Sequence, residues 1–386
     1  MRILFVVPPF AGHVNPTIAV AAELNSRGHE TAWTGPAEAL DGLLPTGARV
    51  FPSGGSGQYG ALHEHWRDLR GVAALRFLWD EALIPLAHAM LPGVRAAADA
   101  YAPDLLVVDQ QAFAGALAAR SDGLPWATSA TTSAEFTQPF AGFPKVGEWV
   151  DGRIAGLLAE HGAPGGWDPR FSDRLVLVFS TPALVGAPEG EPHPPHYAFV
   201  GPALGARPPA CDFPWQRLDP VRGRVLVSLG TLNREAGSRF YRAVLAAAEQ
   251  LADRVQLIVA APASLVGEVP GHVLRQDFVP QLQLLPQLDS VVCHGGHNTV
   301  CEALAHAVPL VVAPIRDDQP IVARQVAAAG AGVRVRFGRP RPDELRDALT
   351  AVLDDPSYGR AARRIQTSFT AAGGAAAAAD RLEKLI

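Results

Sequence analysis

Two groups of residues in this chain have types and spacings that could do chemistry. The first is Ser290-Val291-Val292-Cys293-His294-Gly295-Gly296-His297-Asn298-Thr299-Val300-Cys301-Glu302, preceded by Phe278-Val279-Pro280-Gln281 and followed by Pro309 and Asp317-Asp318-Gln319. An apolar run ends at His294, two glycines permit a tight turn with close backbone approach, and Asn298 or Thr299 can cap a helix. The amides at such a helix start carry about half a positive charge and suit an anion. A diphosphate answers that description. Thr299 and Glu302 could equally form a Thr-x-x-Glu capping box. Cys293, His294, His297 and Cys301 have the types of a metal site, but strand alternation sends Cys293 and His294 to opposite faces, so one ion could hardly hold both.

The second group is His13, in Pro8-Pro9-Phe10-Ala11-Gly12-His13-Val14-Asn15-Pro16, together with Asp109 at the end of Leu105-Leu106-Val107-Val108. Each follows an apolar strand and so stands at a carboxyl end, where the ligands of α/β sheets collect. An imidazole with a pKa near 6.5 is neutral at cytoplasmic pH and can accept a proton. A nearby carboxylate would fix its tautomer. Asp109 could alternatively cap a helix near Ala112.

The elements that must position these residues follow a plan repeated twice. Ile3 to Val7 reads as a buried strand, and Asn15 reads as the N-cap of a helix with Pro16 in its first position, ending at Gly28. Leu105 to Val108 and Leu175 to Phe179 read as further strands. After a proline-rich stretch at 201–223, the plan restarts with strand Val225 to Ser228, a loop from Leu229 to Glu235, a helix near Ser238 to Leu251 and strand Val255 to Ala260. Alternating strands and helices in two halves imply an α/β protein of two Rossmann-like domains facing each other across a cleft. The expected boundaries are 1–200, a linker at 201–223, a second domain at 224–370 and an alanine-rich helix at 371–386, which the sequence does not assign to either half.

The stretch from Phe278 to Gln319 resembles the C-terminal nucleotide-sugar signature of family 1 glycosyltransferases, whose fold, GT-B, has this two-domain plan. The spacings from His294 to Glu302 and to Gln319 match the plant-type signature, while Phe278 to His294 runs slightly short of it. The resemblance implies that Phe278 stacks near the base, that backbone around Val279 reads it, and that Glu302 holds the ribose hydroxyls. It gives the diphosphate to His294, Gly296, Asn298 and Thr299, with Thr231 of Ser228-Leu229-Gly230-Thr231 alongside, and the sugar hydroxyls to Asp318 and Gln319. His297 departs from the pattern: plant members carry Trp there and many bacterial ones a small residue.

Gly-His-x-Asn-Pro after the first strand is where this family carries its catalytic base, and an aspartate at a later strand end pairs with it. The resemblance therefore makes His13 the base and Asp109 its partner in an inverting transfer of a hexose to a hydroxyl group. Trp66, Phe77, Trp79, Phe136, Phe140 and Phe143 fall in the half where the family binds its acceptor, and imply an apolar small molecule, although each could be plain core. Phe213-Pro214-Trp215 and Thr231-Leu232-Asn233 resemble the bacterial macrolide and carotenoid branches. The scheme requires no metal and no cofactor beyond the nucleotide diphosphate sugar as co-substrate, with UDP-glucose the first expectation and a dTDP-deoxysugar the second.

Composition narrows the remaining classes. The chain has 386 residues, 48% of them hydrophobic and 18% charged, with a net charge of −5. That length suits two hydrophobic cores. Basic residues are scattered, so no stripe exists to hold nucleic acid. Cysteine occurs three times, at Cys211, Cys293 and Cys301, which fits a reducing cytoplasm better than a disulfide framework. No apolar run approaches the roughly 18 residues that span a bilayer, which leaves peripheral membrane contact open. Monomer and homodimer are both compatible. A nicotinamide oxidoreductase lacks its Gly-x-Gly-x-x-Gly turn in Pro8 to His13. A nucleotide-sugar epimerase, or an inactive nucleotide-sugar-binding protein of the same fold, is the alternative, and the retained His13 and Asp109 count against it.

Overall fold

A computed structural model describes residues 1–54, 65–66, 69–137, 139–186, 193–205, 212–230 and 237–386. Thr231 and Cys211 lie outside them. The chain divides into two compact units. One comprises 1–181, 187–206 and 372–386; the other comprises 182–186 and 207–371.

The first unit is built on β1 (Arg2–Val6), β2 (Glu30–Gly35), β3 (Val50–Pro52), β4 (Leu105–Asp109), β5 (Trp126–Ala130), β6 (Val176–Val178) and β7 (Tyr197–Phe199). All pair in parallel, in the order β3-β2-β1-β4-β5-β6-β7. Parallel strands are covered on both faces, which is why Ile3 to Val6 and Leu105 to Val108 are unbroken apolar runs and wholly buried. Helices α1 (Ala11–Ser26), α2 (Ile84–Tyr101), α3 (Phe113–Asp122) and α4 (Pro144–Glu160) supply the cover. Successive residues point to opposite faces. Val6 and Val108 pack among Leu83, Met90 and Phe113, while Phe5 and Val107 pack among Ile18, Leu24 and Leu177.

The second unit repeats the design with β8 (Gly223–Ser228), β9 (Val255–Ala260), β10 (Val273–Gln276), β11 (Ser290–Cys293), β12 (Leu310–Val312) and β13 (Gly332–Arg334), in the order β10-β9-β8-β11-β12-β13. Its longer helices are α5 (Ser238–Glu249), α6 (His297–Ala305), α7 (Gln319–Ala328), α8 (Pro342–Asp354) and α9 (Pro356–Ala372). In each sheet the strand order reverses direction next to the first strand, between β1 and β4 and between β8 and β11. A crevice opens at such a point beyond the carboxyl ends.

The alanine-rich end of the chain forms α10 (Gly374–Glu383) and returns to the first unit. Ala378, Ala379 and Leu382 are buried there with Ile3, Phe5 and Leu24. Small side chains allow that close packing. Arg27 holds Asp380 at 2.6 Å and Glu383 at 3.0 Å, and His29 Nε2 lies 2.8 Å from Glu383.

Candidate active site

In the first unit the crevice between β1 and β4 holds His13 and Asp109. Asp109 is the last residue of β4 and has no exposed side-chain surface; His13 is 17% exposed. Nδ1 of His13 lies 2.9 Å from Oδ1 and 3.0 Å from Oδ2 of Asp109. An ionised carboxylate can only accept, so Nδ1 carries the hydrogen and the lone pair of the neutral ring sits on Nε2. The backbone amide of Gln111 donates to Asp109 Oδ1 at 2.8 Å. The hydroxyl of Thr131 donates to Asp109 Oδ2 at 2.8 Å and stands 2.8 Å from His13 Nδ1.

The local fold that presents His13 differs from the sequence expectation. Asn15 does not cap α1, and Pro16 is not its first residue. The helix opens at Ala11, with Phe10 in the N-cap position and no side-chain cap. The carbonyl of Phe10 accepts from His13 N at 2.9 Å and from Val14 N at 3.1 Å, closing a turn before the proline is reached. Pro16 then lies inside the helix. It forgoes one intrahelical hydrogen bond near the start, where such bonds are fewest. The result is that His13 stands on the first turn of a helix rather than on a loop. Asp109 is likewise no helix cap: α3 starts at Phe113 behind Ala112, without a side-chain cap.

The aromatic residues expected around an acceptor divide. Phe10, which the sequence did not single out, meets the His13 ring at 5.7 Å and Trp66 at 6.4 Å, and Trp66 meets Phe77 at 6.2 Å. Trp66 and Phe77 thus join the neighbourhood of His13 through Phe10. Trp79 lies deeper in the same core cluster that holds Trp66, which is 7% exposed. It sits on the π-helical turn Leu78–Leu83, is 2% exposed, and packs on Phe113 at 5.6 Å. Phe136 belongs to a separate cluster with Tyr197 and Phe199 at the β6–β7 edge. Phe140 packs part-buried on the main core, and Phe143 is 67% exposed just before α4.

In the second unit the crevice between β8 and β11 holds His294. Its imidazole is enclosed by two glycines: a Cβ on Gly230 would stand 2.7 Å from His294 Cε1, and one on Gly296 would stand 2.5 Å from Nε2. No larger residue fits either position without moving the ring. Burial pushes the imidazole down to about 4, and the Arg316 guanidinium acts in the same direction. Nδ1 is buried and has no hydrogen-bond partner among the described residues. Arg316, itself 3% exposed, enters from the turn after β12, where Asp317 adopts a left-handed φ of 55°. Its type and neighbours do not single it out, since an Arg-Asp pair in a turn looks like ordinary surface.

Helix α6 begins at His297 with Gly296 in the N-cap position and no side-chain cap, so neither Asn298 nor Thr299 caps it. The extended conformation at Gly296 (φ −61°, ψ 133°) ends the turn that Gly295 makes at φ 89°. Asn298 and Thr299 therefore lie within the first helical turn, where backbone amides lack intrahelical acceptors. Thr299 is one turn too deep for a capping box. The Glu302 carboxylate, 3% exposed, instead accepts from Gln281 Nε2 at 2.6 Å. That bond brings Glu302 to the segment carrying Phe278, which is 49% exposed, and Val279, which packs part-buried on the core. Gln319 opens α7 and is 5% exposed. Its Oε1 accepts from the amides of Ile315 at 2.9 Å and Arg316 at 3.2 Å. Asp318 precedes it in the N-cap position.

His297 is buried, with Nε2 3.5 Å from Cys301 Sγ. Burial raises the Cys293 thiol to about 12. Among the described residues no three His, Cys, Asp or Glu side chains converge as metal ligands, and no helix is long and apolar enough to cross a membrane.

Residues 242–385 match the family model of the erythromycin biosynthesis protein CIII-like C-terminal domain. The chain is 30% identical to 4'-demethylrebeccamycin synthase of Lentzea aerocolonigenes, over 100% of its own length and 99% of that protein. It is 31% identical to demethyllactenocin mycarosyltransferase of Streptomyces fradiae, over 100% of its own length and 86% of that protein. The crystal structure of the calicheamicin glycosyltransferase superposes with a TM-score of 0.78 at 26% identity, covering 100% of this chain and 98% of that one. The chain belongs to the GT-B glycosyltransferases of antibiotic and natural-product biosynthesis that share the erythromycin biosynthesis protein CIII-like C-terminal domain.

Proposed function

We propose that this glycosyltransferase moves a hexose, with inversion, from a UDP- or dTDP-sugar to a hydroxyl of an apolar natural product. The observation that carries the reading is the His13–Asp109 pair, 2.9 Å apart at the strand crossover of the first unit. His13 Nε2 takes the proton of the acceptor hydroxyl as its oxygen attacks the anomeric carbon. The bond from that carbon to the diphosphate oxygen breaks, and its electron pair leaves with the nucleoside diphosphate. Asp109 stabilises the imidazolium that forms. One displacement at one carbon inverts its configuration.

In the second unit, Glu302 with Gln281 suits the ribose, Phe278 and Val279 the base, and Thr231 is the further diphosphate ligand expected from the sequence. The first turn of α6, with Gly296, Asn298 and Thr299, faces the charge that grows on the leaving diphosphate. His294 stays neutral there and can donate a hydrogen bond. Arg316 adds a permanent positive charge. These groups do the work a divalent cation does elsewhere, so the reaction is metal-independent. Asp318 and the amide nitrogen of Gln319 suit the sugar hydroxyls, since the Gln319 carbonyl is engaged by its own turn. His297, buried against Cys301, supports α6. Phe10, Trp66 and Phe77 offer an apolar wall for the acceptor beside the base. Two buried free thiols, Cys293 and Cys301, suit a cytoplasmic protein.

The test is to incubate the protein with UDP-glucose and dTDP-glucose against a panel of macrolide and polyphenol acceptors, and to read the anomeric configuration of any product by NMR. A β-linked glucoside from the α-configured donor supports the reading. A product retaining the α configuration, or free sugar alone, overturns it.

A further inference from the structure

The hydroxyl of Thr131 lies at equal distances of 2.8 Å from Asp109 Oδ2 and His13 Nδ1. It therefore closes a ring of three side chains contributed by α1, β4 and the chain just beyond β5. The sheet register explains the meeting. Asp109 pairs with Ser129 across β4 and β5, so Ser129 and, two residues on, Thr131 point to the same face as Asp109. That is the face α1 covers. Thr131 is 4% exposed and Asp109 fully buried, so water does not replace what the hydroxyl supplies.

We infer that Thr131 is a positioning residue of the transfer reaction, holding the imidazole of His13 in the plane that aims Nε2 at the acceptor. The inference rests on the proposed role of His13 as base. Asp109 alone leaves the ring two choices, because Nδ1 sits almost evenly between the two carboxylate oxygens. With its proton given to Oδ2, the Thr131 oxygen can only accept from Nδ1–H. It gives Nδ1–H a second acceptor outside the carboxylate and so fixes the rotation of the ring. It also supplies a donor to a buried carboxylate oxygen.

Ser129 supplies an internal control. It stands directly opposite Asp109 in the sheet, yet its buried Oγ has no hydrogen-bond partner. Mere proximity of a hydroxyl to Asp109 is therefore not the same as membership of the ring.

The experiment compares Thr131→Val, Thr131→Ser and Ser129→Ala in the full chain, with steady-state kinetics and the 15N NMR spectrum of the His13 ring. Thr131→Val keeps the shape and loses the hydroxyl. It should lower kcat by about 10- to 100-fold, the scale of a misaligned catalytic group, leave donor KM unchanged, and shift the Nδ1–H resonance, which has lost one acceptor. Thr131→Ser should restore both readouts, and Ser129→Ala should match wild type. A Thr131→Val protein with wild-type kcat and a wild-type Nδ1–H resonance overturns the inference even where His13→Ala is inactive. If His13→Ala itself keeps wild-type turnover, the base assignment fails first. The NMR readout does not depend on turnover and still decides whether Thr131 holds the ring.

Discussion

The two units build the same crossover and put a histidine at each, yet they prepare the two rings for opposite tasks. His13 stands beside a buried carboxylate, with Nδ1 within 3.0 Å of both its oxygens and a hydroxyl closing the set. That setting places a carboxylate beside the ring to stabilise the imidazolium that proton transfer creates. His294 stands between two glycines, near a guanidinium, and burial holds it down to about 4. That setting refuses the second proton. Both are histidines beside a crossover, His13 on the helix after the first strand of its sheet and His294 directly after the strand that corresponds to β4, and the difference in chemistry comes from their neighbours, a buried carboxylate for one and two glycines with a guanidinium for the other.

The comparison is broken most directly by removing each ring in turn. His13→Ala should cut turnover by about 10² to 10⁴, roughly 3 to 5 kcal/mol of barrier, with donor affinity nearly unchanged. Asp109→Asn should cost less in the same step, and the double variant less than the sum, because a tautomer-fixing partner has no task once the ring is gone. His294→Ala should show the reverse split, weakening the donor more than it slows proton transfer. Single-turnover kinetics with isothermal titration of the nucleotide diphosphate separate the two. Equal losses of affinity in both variants would dissolve the contrast.

A pH series sharpens it. The unfolded His294 takes up its proton near 6.5, while the folded one does so only near 4. The native state is therefore undisturbed by this group above pH 6.5 and loses stability as the pH falls from 6.5 towards 4, by on the order of 3 kcal/mol in full. His294→Gln should remove that part of the acid sensitivity. Melting temperatures of both proteins between pH 7.5 and 4.5, conditions chosen to bracket the range roughly, test it: parallel curves would mean that His294 is not buried as neutral imidazole.

Much of this was legible in the residues, and what was not has definite causes. The unbroken apolar runs at Ile3 and Leu105 announce parallel strands because both faces are covered, and the double-glycine turn at Gly295-Gly296 announces a close backbone approach. The start of α1 was misread because Asn15-Pro16 is a strong local helix-start signal, while the Phe10 carbonyl that actually opens the helix carries no sequence mark. The same holds for α6, where a glycine rather than Asn298 or Thr299 takes the cap. Thr131 could have been suspected from the run Thr128-Ser129-Ala130-Thr131-Thr132-Ser133, which loads hydroxyls onto a strand end beside Asp109. Arg316 and Gln281 become visible only when the turn and the short helix that carry them are folded. The aromatics divided because type alone does not distinguish Trp79, enclosed in the core, from Trp66, which reaches His13 through Phe10.

Glu302 tests a smaller effect in the second unit. Its carboxylate is tied to Gln281 and not to a capping box, so Glu302→Ala should lower stability by only about 1 kcal/mol, the value of one hydrogen bond. Loss of a ribose contact should weaken nucleotide binding by about tenfold or more, which is 1.4 kcal/mol. Gln281→Ala should reproduce the first loss with less of the second. Unchanged affinity in Glu302→Ala, with a lowered melting temperature alone, would make the carboxylate a structural strut.

The smallest expected effect is none at all. If the first turn of α6, the neutral His294 and the buried Arg316 together meet the diphosphate, a divalent cation has no position left to improve, and turnover should be the same after exhaustive treatment with EDTA as before it. The control is Arg316→Ala, which removes the permanent charge from this set while leaving the helix amides in place. Charge that a side chain supplied can then be supplied in part by a metal chelated to the diphosphate itself, so this variant should be slower and should respond to added magnesium where the wild type does not. Wild-type activity that vanishes with EDTA and returns only with magnesium or manganese would mean that the second unit does not neutralise the leaving group alone, and the contrast between the two histidines would lose its electrostatic basis.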